Sequence, residues 1–296
     1  MNTIDRRGFV KTSIGLGAAA LSISVPRIAP AAPTTSKMRL GLVTYLWGKD
    51  MDLPTLIKSC ADSGLEGVET RTQHAHGVEP SLSKAQRAEV KQRFADSPVS
   101  LVGYGSNAQY HEADPAKVKH NIELTKQYIH LMHDCGATGV KVKPNGFPKD
   151  ASREKTIEQI GKALNEVAAY GADYGQKIRV EVHGRGTSEL PVMKAIFDVA
   201  DHPNAGVCWN SNNADLEGEG LKHNFNLVKD RLADTVHIRE LNMGDYPYQE
   251  LFNLFAGIGY SGWILLEART KPADKVAAMR EQLEVFQAMV ERAKAK

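Results

Sequence analysis

From Met38 onward the chain repeats one alternation eight times: a short run rich in β-branched and aliphatic residues, then a longer segment whose apolar positions recur every three or four residues. The short runs are expected as strands over Leu40 to Tyr45, Gly67 to Arg71, Val99 to Gly103, Gly139 to Lys143, Ile178 to His183, Ala205 to Trp209, Thr235 to Arg239 and Trp263 to Glu267. Strands separated by a helix's length of chain pair in parallel, and eight such units close into a ring. The fold this implies is an α/β one, a (β/α)8 TIM barrel.

The helical segments have legible ends. Asp52 and Pro54 open, and Gly64 closes, a helix with the apolar face Leu53, Leu56, Ile57 and Cys60. Asp114-Pro115 opens, and Gly136 closes, another whose inward stripe includes Val118, Ile122, Ile129 and Met132. Ile157, Ile160, Leu164 and Val167 mark a helix before Gly175, and a last one runs from about Ala273 nearly to the end. Links from helix to strand, such as Ser97-Pro98 and His202-Pro203-Asn204, are short. Links from strand to helix, over Thr72 to Leu82, Tyr104 to Asp114 and Asn210 to Gly220, are long, so loops gather at the C-terminal mouth, where barrels carry their chemistry.

Four strands end on a side chain able to hold a divalent cation: Glu181 in Val-Glu-Val-His, Asn210 in Val-Cys-Trp-Asn, His237 in Val-His-Ile-Arg and Glu267 in Leu-Leu-Glu-Ala. Residues along a strand point alternately to the barrel axis and to the surrounding helices. In Val140 to Lys143, Val180 to His183 and Val236 to Arg239 the β-branched residues suit the helix side, which turns the polar ones toward the axis. Ionised groups there cost several kcal/mol each unless compensated, so Glu181, Glu267 and Glu69 require cationic partners. One compensator is a divalent ion bound by Glu181, His237 and Glu267, with Asn210 or a water completing the shell. The other is an ion-pair network through Lys141, Lys143, Arg71 and Arg239. Two carboxylates and an imidazole suit manganese, magnesium, zinc or cobalt.

The first residues are a different object. Arg6-Arg7-Gly8-Phe9-Val10-Lys11 is a twin-arginine pattern, followed by an apolar stretch from Thr12 to Val25 and a small-residue site at Ala29-Pro30-Ala31. The stretch is shorter than the roughly 20 residues a spanning helix needs. Residues 1–31 are therefore expected to be an export signal leading to the periplasm, with no stable membrane span once removed, and residues 38–296 a single catalytic barrel domain. The 37 Lys and Arg balance 35 Asp and Glu, which gives no basic surface for nucleic acid. Cys60, Cys135 and Cys208 lack Cys-x-x-Cys spacing and read as small core residues.

Residues 38 to 296 resemble the xylose-isomerase-like barrel superfamily of sugar isomerases and epimerases. That family's metal motif places Glu on strand five, Asp on strand six, His on strand seven and Glu on strand eight, matched here by Glu181, His237 and Glu267. Asn210 stands at the Asp position, and Asn213 at that of the substrate-contacting His three residues later. The superfamily's abasic-site endonucleases resemble three-metal clusters with an Asp-x-His after strand seven; Leu241-Asn242-Met243-Gly244-Asp245-Tyr246 contains none.

The resemblance implies proton abstraction α to a sugar carbonyl, with a metal as Lewis acid and Glu181 and Glu267 as both ligands and acid/base pair. Returning the proton gives an epimerase or isomerase; expelling a β-substituent gives a lyase or hydratase acting on a keto-glycoside. Lys143 is expected as a general base or oxyanion-stabilising cation. His183, Arg239, His76 and Glu69 are candidate substrate contacts, with Trp47, Tyr45 and Trp209 as rings that could stack on a sugar. Periplasmic export favours a non-phosphorylated carbohydrate. A homo-oligomer is among the expectations, and the rival from another class is a non-catalytic sugar-binding barrel.

Overall fold

A computed structural model describes residues 37–294. The expected export signal lies outside the described residues. Eight parallel strands, β1 Arg39–Val43, β2 Gly67–Arg71, β3 Ser100–Gln109, β4 Gly139–Lys143, β5 Lys177–Glu181, β6 Ala205–Cys208, β7 Thr235–Ile238 and β8 Trp263–Leu266, alternate with eight helices. The helices are α1 Leu53–Ser63, α2 Lys84–Ala95, α3 Pro115–Cys135, α4 Arg153–Asp173, α5 Leu190–Val199, α6 Leu221–Val228, α7 Tyr248–Gly257 and α8 Lys275–Lys294. The strands run in the order β6-β5-β4-β3-β2-β1-β8-β7. The remaining seam, β6 to β7, is joined by two isolated parallel bridges, Val207 with Leu232 and Asn210 with His237. The nearly closed ring with its alternating helices is a (β/α)8 barrel.

Local chemistry explains the helix ends. The Asp52 side chain accepts from the Thr55 N–H ahead of α1, and Gly64 ends that helix at a left-handed φ of 81°. Ser83 and Gln86 form a reciprocal capping box on α2, and Asp114 caps α3. Each such cap satisfies an otherwise orphaned N–H and contributes about 1 kcal/mol.

One expectation is corrected. The third strand does not stop at Gly103 but continues to Gln109, so much of the segment read as a loop from Tyr104 is sheet. Its register against β4 shifts between Gly105 and Gln109. Ser106 Oγ donates to the Lys141 carbonyl at 2.6 Å, holding a stretch with no apolar alternation against its neighbour.

The alternation within strands sorts the core into two layers. Leu40, Leu42, Val140, Val142, Ile178, Val180, Val236, Ile238, Ile264 and Leu266 belong to the large cluster that includes the buried helix faces. Val43, Val102, Trp263 and Leu265 form a separate small one within the ring. Polar alternates fill the rest of the interior: Glu69, Lys141, Arg179 and His237 have no exposed surface. Two glycines of β3 make the room. A Cβ at Gly103 would overlap the Arg179 guanidinium, and one at Gly105 would sit 2.7 Å from Glu69 Oε1. The three cysteines are free and buried, as small core residues. Among the described residues no helix is long and apolar enough to cross a membrane.

Candidate active site

β5, β7 and β8 bring Glu181, His237 and Glu267 together. Each offers one ligand atom, and these atoms lie within 4.8 Å of one another. All three residues are buried. Both His237 ring nitrogens lack a hydrogen-bond partner, although Nε2 lies 3.2 Å from Glu69 Oε1 and Nδ1 lies 3.8 Å from Glu181 Oε1. Neither contact is aligned as a hydrogen bond. The two Glu69 oxygens are likewise buried and unpartnered. Unmet polar capacity of this kind is costly in an interior. A divalent cation at Glu181, His237 and Glu267 would answer the His237 part of it, since carboxylate oxygens with an imidazole nitrogen are the donor set such a cation takes.

Part of the ion-pair network is present beside the cluster. Lys141 Nζ donates to Glu181 Oε2 at 2.6 Å and to the Ser106 carbonyl at 3.2 Å. Arg71 Nη1 reaches Glu267 Oε1 at 3.4 Å. Among the described residues Lys143 and Arg239 form no ion pair with a carboxylate, and Lys143 Nζ contacts Asn107 Oδ1 at 3.5 Å. Asn210 stands beside Glu181. Its amide nitrogen donates to Glu181 Oε1 at 2.8 Å, because beside an ionised carboxylate the donor end of an amide is the favoured one. In this arrangement Asn210 orients the Glu181 carboxylate.

The charges set the protonation states. Burial pushes the Glu181 pKa up, but Lys141, His237 and Lys143 outweigh it and hold the carboxyl well below its usual range. Burial likewise opposes charging His237, yet Cys208 and the Glu69 carboxylate raise its pKa well above the ordinary value. Lys143 is brought down to about 8, first by burial and then by the positive charge of Lys141.

Other expected residues divide. His183 stands just beyond β5 with Nδ1 2.8 Å from Asn145 Oδ1, and burial lowers its pKa. Arg239 and Asn213 line one cleft of about 400 Å³ at the mouth. Glu69 lies on the axis against His237, without exposed surface for a substrate. Two of the expected substrate contacts lie within the packed structure. Trp47 is buried and its indole N–H donates to the Thr270 carbonyl at 3.1 Å. His76 is also buried, with Nε2 2.9 Å from the Arg71 carbonyl and Nδ1 accepting from the Val78 N–H at 3.0 Å. Both His76 ring nitrogens are thus engaged by backbone. Trp209 is buried with its N–H on the Tyr246 hydroxyl, and Tyr45 lies under the Arg71 guanidinium at 5.1 Å.

Three groups were not singled out by pattern. Arg179, wholly buried, is held by Asp234 through two bonds of 2.9 and 3.0 Å, with further bonds to Val102 and Thr138. Asn145, at a left-handed φ of 65°, orients His183; the Asn145-Gly146 pair that marks a turn was the available signal. Asp215, whose carboxyl burial pushes up to about 7, accepts from Tyr246 at 2.6 Å.

Comparison with known proteins fits this geometry. The model of the xylose isomerase-like TIM barrel family matches residues 57–289. An inosose dehydratase of Clostridium tetani is 21% identical over 280 residues, covering 80% of this chain and 91% of that protein. An L-ribulose 3-epimerase superposes with a TM-score of 0.75 at 16% identity, covering 87% of this chain and 96% of its own. The 3-keto-D-glucoside 4-epimerase of E. coli gives 0.72 at 14% identity, over 85% and 100%. The IolI protein with a bound zinc atom gives 0.74 at 14% identity, over 88% and 100%. At these identities the structural likenesses establish the fold.

Proposed function

The chain belongs to the xylose isomerase-like TIM barrel family, and from that premise we propose that it is a metal-dependent sugar isomerase or epimerase, removing a proton α to a carbonyl on a non-phosphorylated sugar or keto-sugar. The observation that carries the reading is the convergence of Glu181, His237 and Glu267 around one point with both His237 nitrogens unpartnered. The epimerase activities named for two structural neighbours support it. Arg6-Arg7 and the apolar run that follows support export to the periplasm, and with it a free sugar.

A divalent cation held by Glu181, His237 and Glu267 would polarise a carbonyl oxygen and acidify the adjacent C–H. Lys141 and Asn210 keep Glu181 ionised and fixed, which suits a ligand better than a proton carrier. Glu267, in contact with Arg71 at 3.4 Å, is the carboxylate assigned the proton transfer. Lys143, with its pKa near 8, supplies an amine that changes protonation close to neutrality. His183, oriented by Asn145, and Arg239 with Asn213 bind the sugar's oxygens.

A second reading expels a β-substituent after the same proton removal, as a lyase or hydratase on a 3-keto-glycoside. It is favoured by the inosose dehydratase relative. One experiment tests both: metal analysis of the purified chain, followed by incubation with ketoses and keto-glycosides in deuterated water. Bound divalent ion with deuterium at the α carbon is expected, and product release from the keto-glycosides marks the lyase. Glu267→Gln should remove both ion and exchange. Metal-loaded protein that yields neither deuterium nor product overturns the reading.

A further inference from the structure

A cleft of about 400 Å³ opens at the mouth between the loop after β6 and the loop after β7. Its inner end is reached by Arg239, two residues beyond His237, and its outer walls carry Leu216 and Met243. These two side chains are 37% and 54% exposed; only one other large apolar residue, Ile258, is comparably open among the described residues. Scattered surface leucines need no explanation, but two converging on one concavity beside a polar site do.

Tyr246 and Tyr248 line the same cleft with ring centroids 4.7 Å apart. Their hydroxyls are engaged elsewhere: Tyr246 receives the Trp209 N–H and donates to Asp215, and Tyr248 receives the Arg239 backbone N–H. What they present to the cleft is ring carbon. Arg239 is the opposite case, since its guanidinium forms no ion pair among the described residues and its Nε is buried without a partner. The cleft therefore sets a hydrogen-bond donor, Arg239, and the polar side chains of Ser211, Asn212 and Asn213 beside the apolar Leu216 and Met243. Asp245, on the same lining, disfavours an anionic group there.

We propose that this cleft is a subsite for the apolar aglycone of a glycoside, whose sugar ring lies toward His237 and Arg239 while a neutral aromatic or aliphatic aglycone packs on Leu216 and Met243. A free monosaccharide has only its C–H face to cover those walls, and that face is smaller than an aromatic or aliphatic aglycone. The inference takes from the proposed function only that the mouth binds sugar, not what chemistry follows.

Titration calorimetry on the full chain with phenyl and methyl glucopyranosides of both anomeric forms tests it. A phenyl ring burying about 60 Å² of apolar surface should bind about tenfold tighter than methyl. In the Leu216→Ser/Met243→Ser double variant the gap should close to under about threefold. Equal affinities in the wild type, a gap that survives the double substitution, or no binding of either glucoside overturns the subsite. The deuterium-exchange experiment separates the two proposals. Exchange into ketoses without a phenyl preference defeats only the subsite, and a phenyl preference without exchange on any keto-sugar defeats only the enolisation reading.

Discussion

Replacing Lys141 by methionine should unfold the chain far more easily, and the structure sets the scale. Lys141 Nζ sits 2.6 Å from Glu181 Oε2, with side chains 0% and 2% exposed. Methionine fills similar space but leaves a buried carboxylate whose remaining donor is the Asn210 amide. Breaking one side of a buried pair costs about 3–5 kcal/mol. For a domain of this size each kcal/mol moves Tm by about 2–4 °C, so a fall on the order of 10 °C is expected in chelator-treated protein. The Glu181 pKa is depressed, so the pair's stabilisation is present above the ordinary carboxyl value of 4.5 and is lost as pH falls through the depressed one. Denaturant titrations of wild type and variant should therefore converge in acid. Adding Glu181→Gln to Lys141→Met should restore most of the loss, because no charge is then stranded. A single variant within about 1 kcal/mol of wild type, or a gap unchanged from neutrality to about pH 3, refutes the reasoning.

Lys143 acts as a proton acceptor only as the free amine, so the exchange rate in wild type should rise through about pH 8, and Lys143→Met should flatten that rise in a pH-rate profile. Asp234→Asn strands the Arg179 charge away from the mouth; denaturant melts should show a loss of about 3–5 kcal/mol, with kcat retained. Gly105→Ala places a Cβ 2.7 Å from Glu69 Oε1 and drives that carboxylate toward His237, which should cost about 1–3 kcal/mol in thermal melts and weaken metal affinity in competition titrations.

Much of this was legible because period and position carry physical meaning. Val-Glu-Val-His and Val-His-Ile-Arg place a carboxylate and an imidazole on the axis by alternation alone, and the structure brings those two residues together with Glu267. Asp52, Asp114 and their closing glycines marked helix ends by the same hydrogen bonds that form there. Legibility failed where a neighbour distant in sequence decides the outcome. Nothing local says that the nitrogens of His76 are engaged by Arg71 and Val78, or that the Trp47 indole meets Thr270. The bond from the Asn210 amide nitrogen to Glu181 is likewise set by a strand neighbour 29 residues away. Strand β3 was cut short because Gly105-Ser106-Asn107 has no apolar rhythm, its pairing being imposed by β4.

The thin β6–β7 join also bears on assembly. Asn210 bridges His237 across it, and the His237 N–H binds the Trp209 carbonyl at 2.7 Å. Glu181 stands on one flank of that join, His237 and Glu267 on the other. A cation gripping all three would act as a clasp across the ring's weakest stitch. Stripping it should loosen this sector before the rest, with amide protons of residues 209–211 and 237 exchanging first.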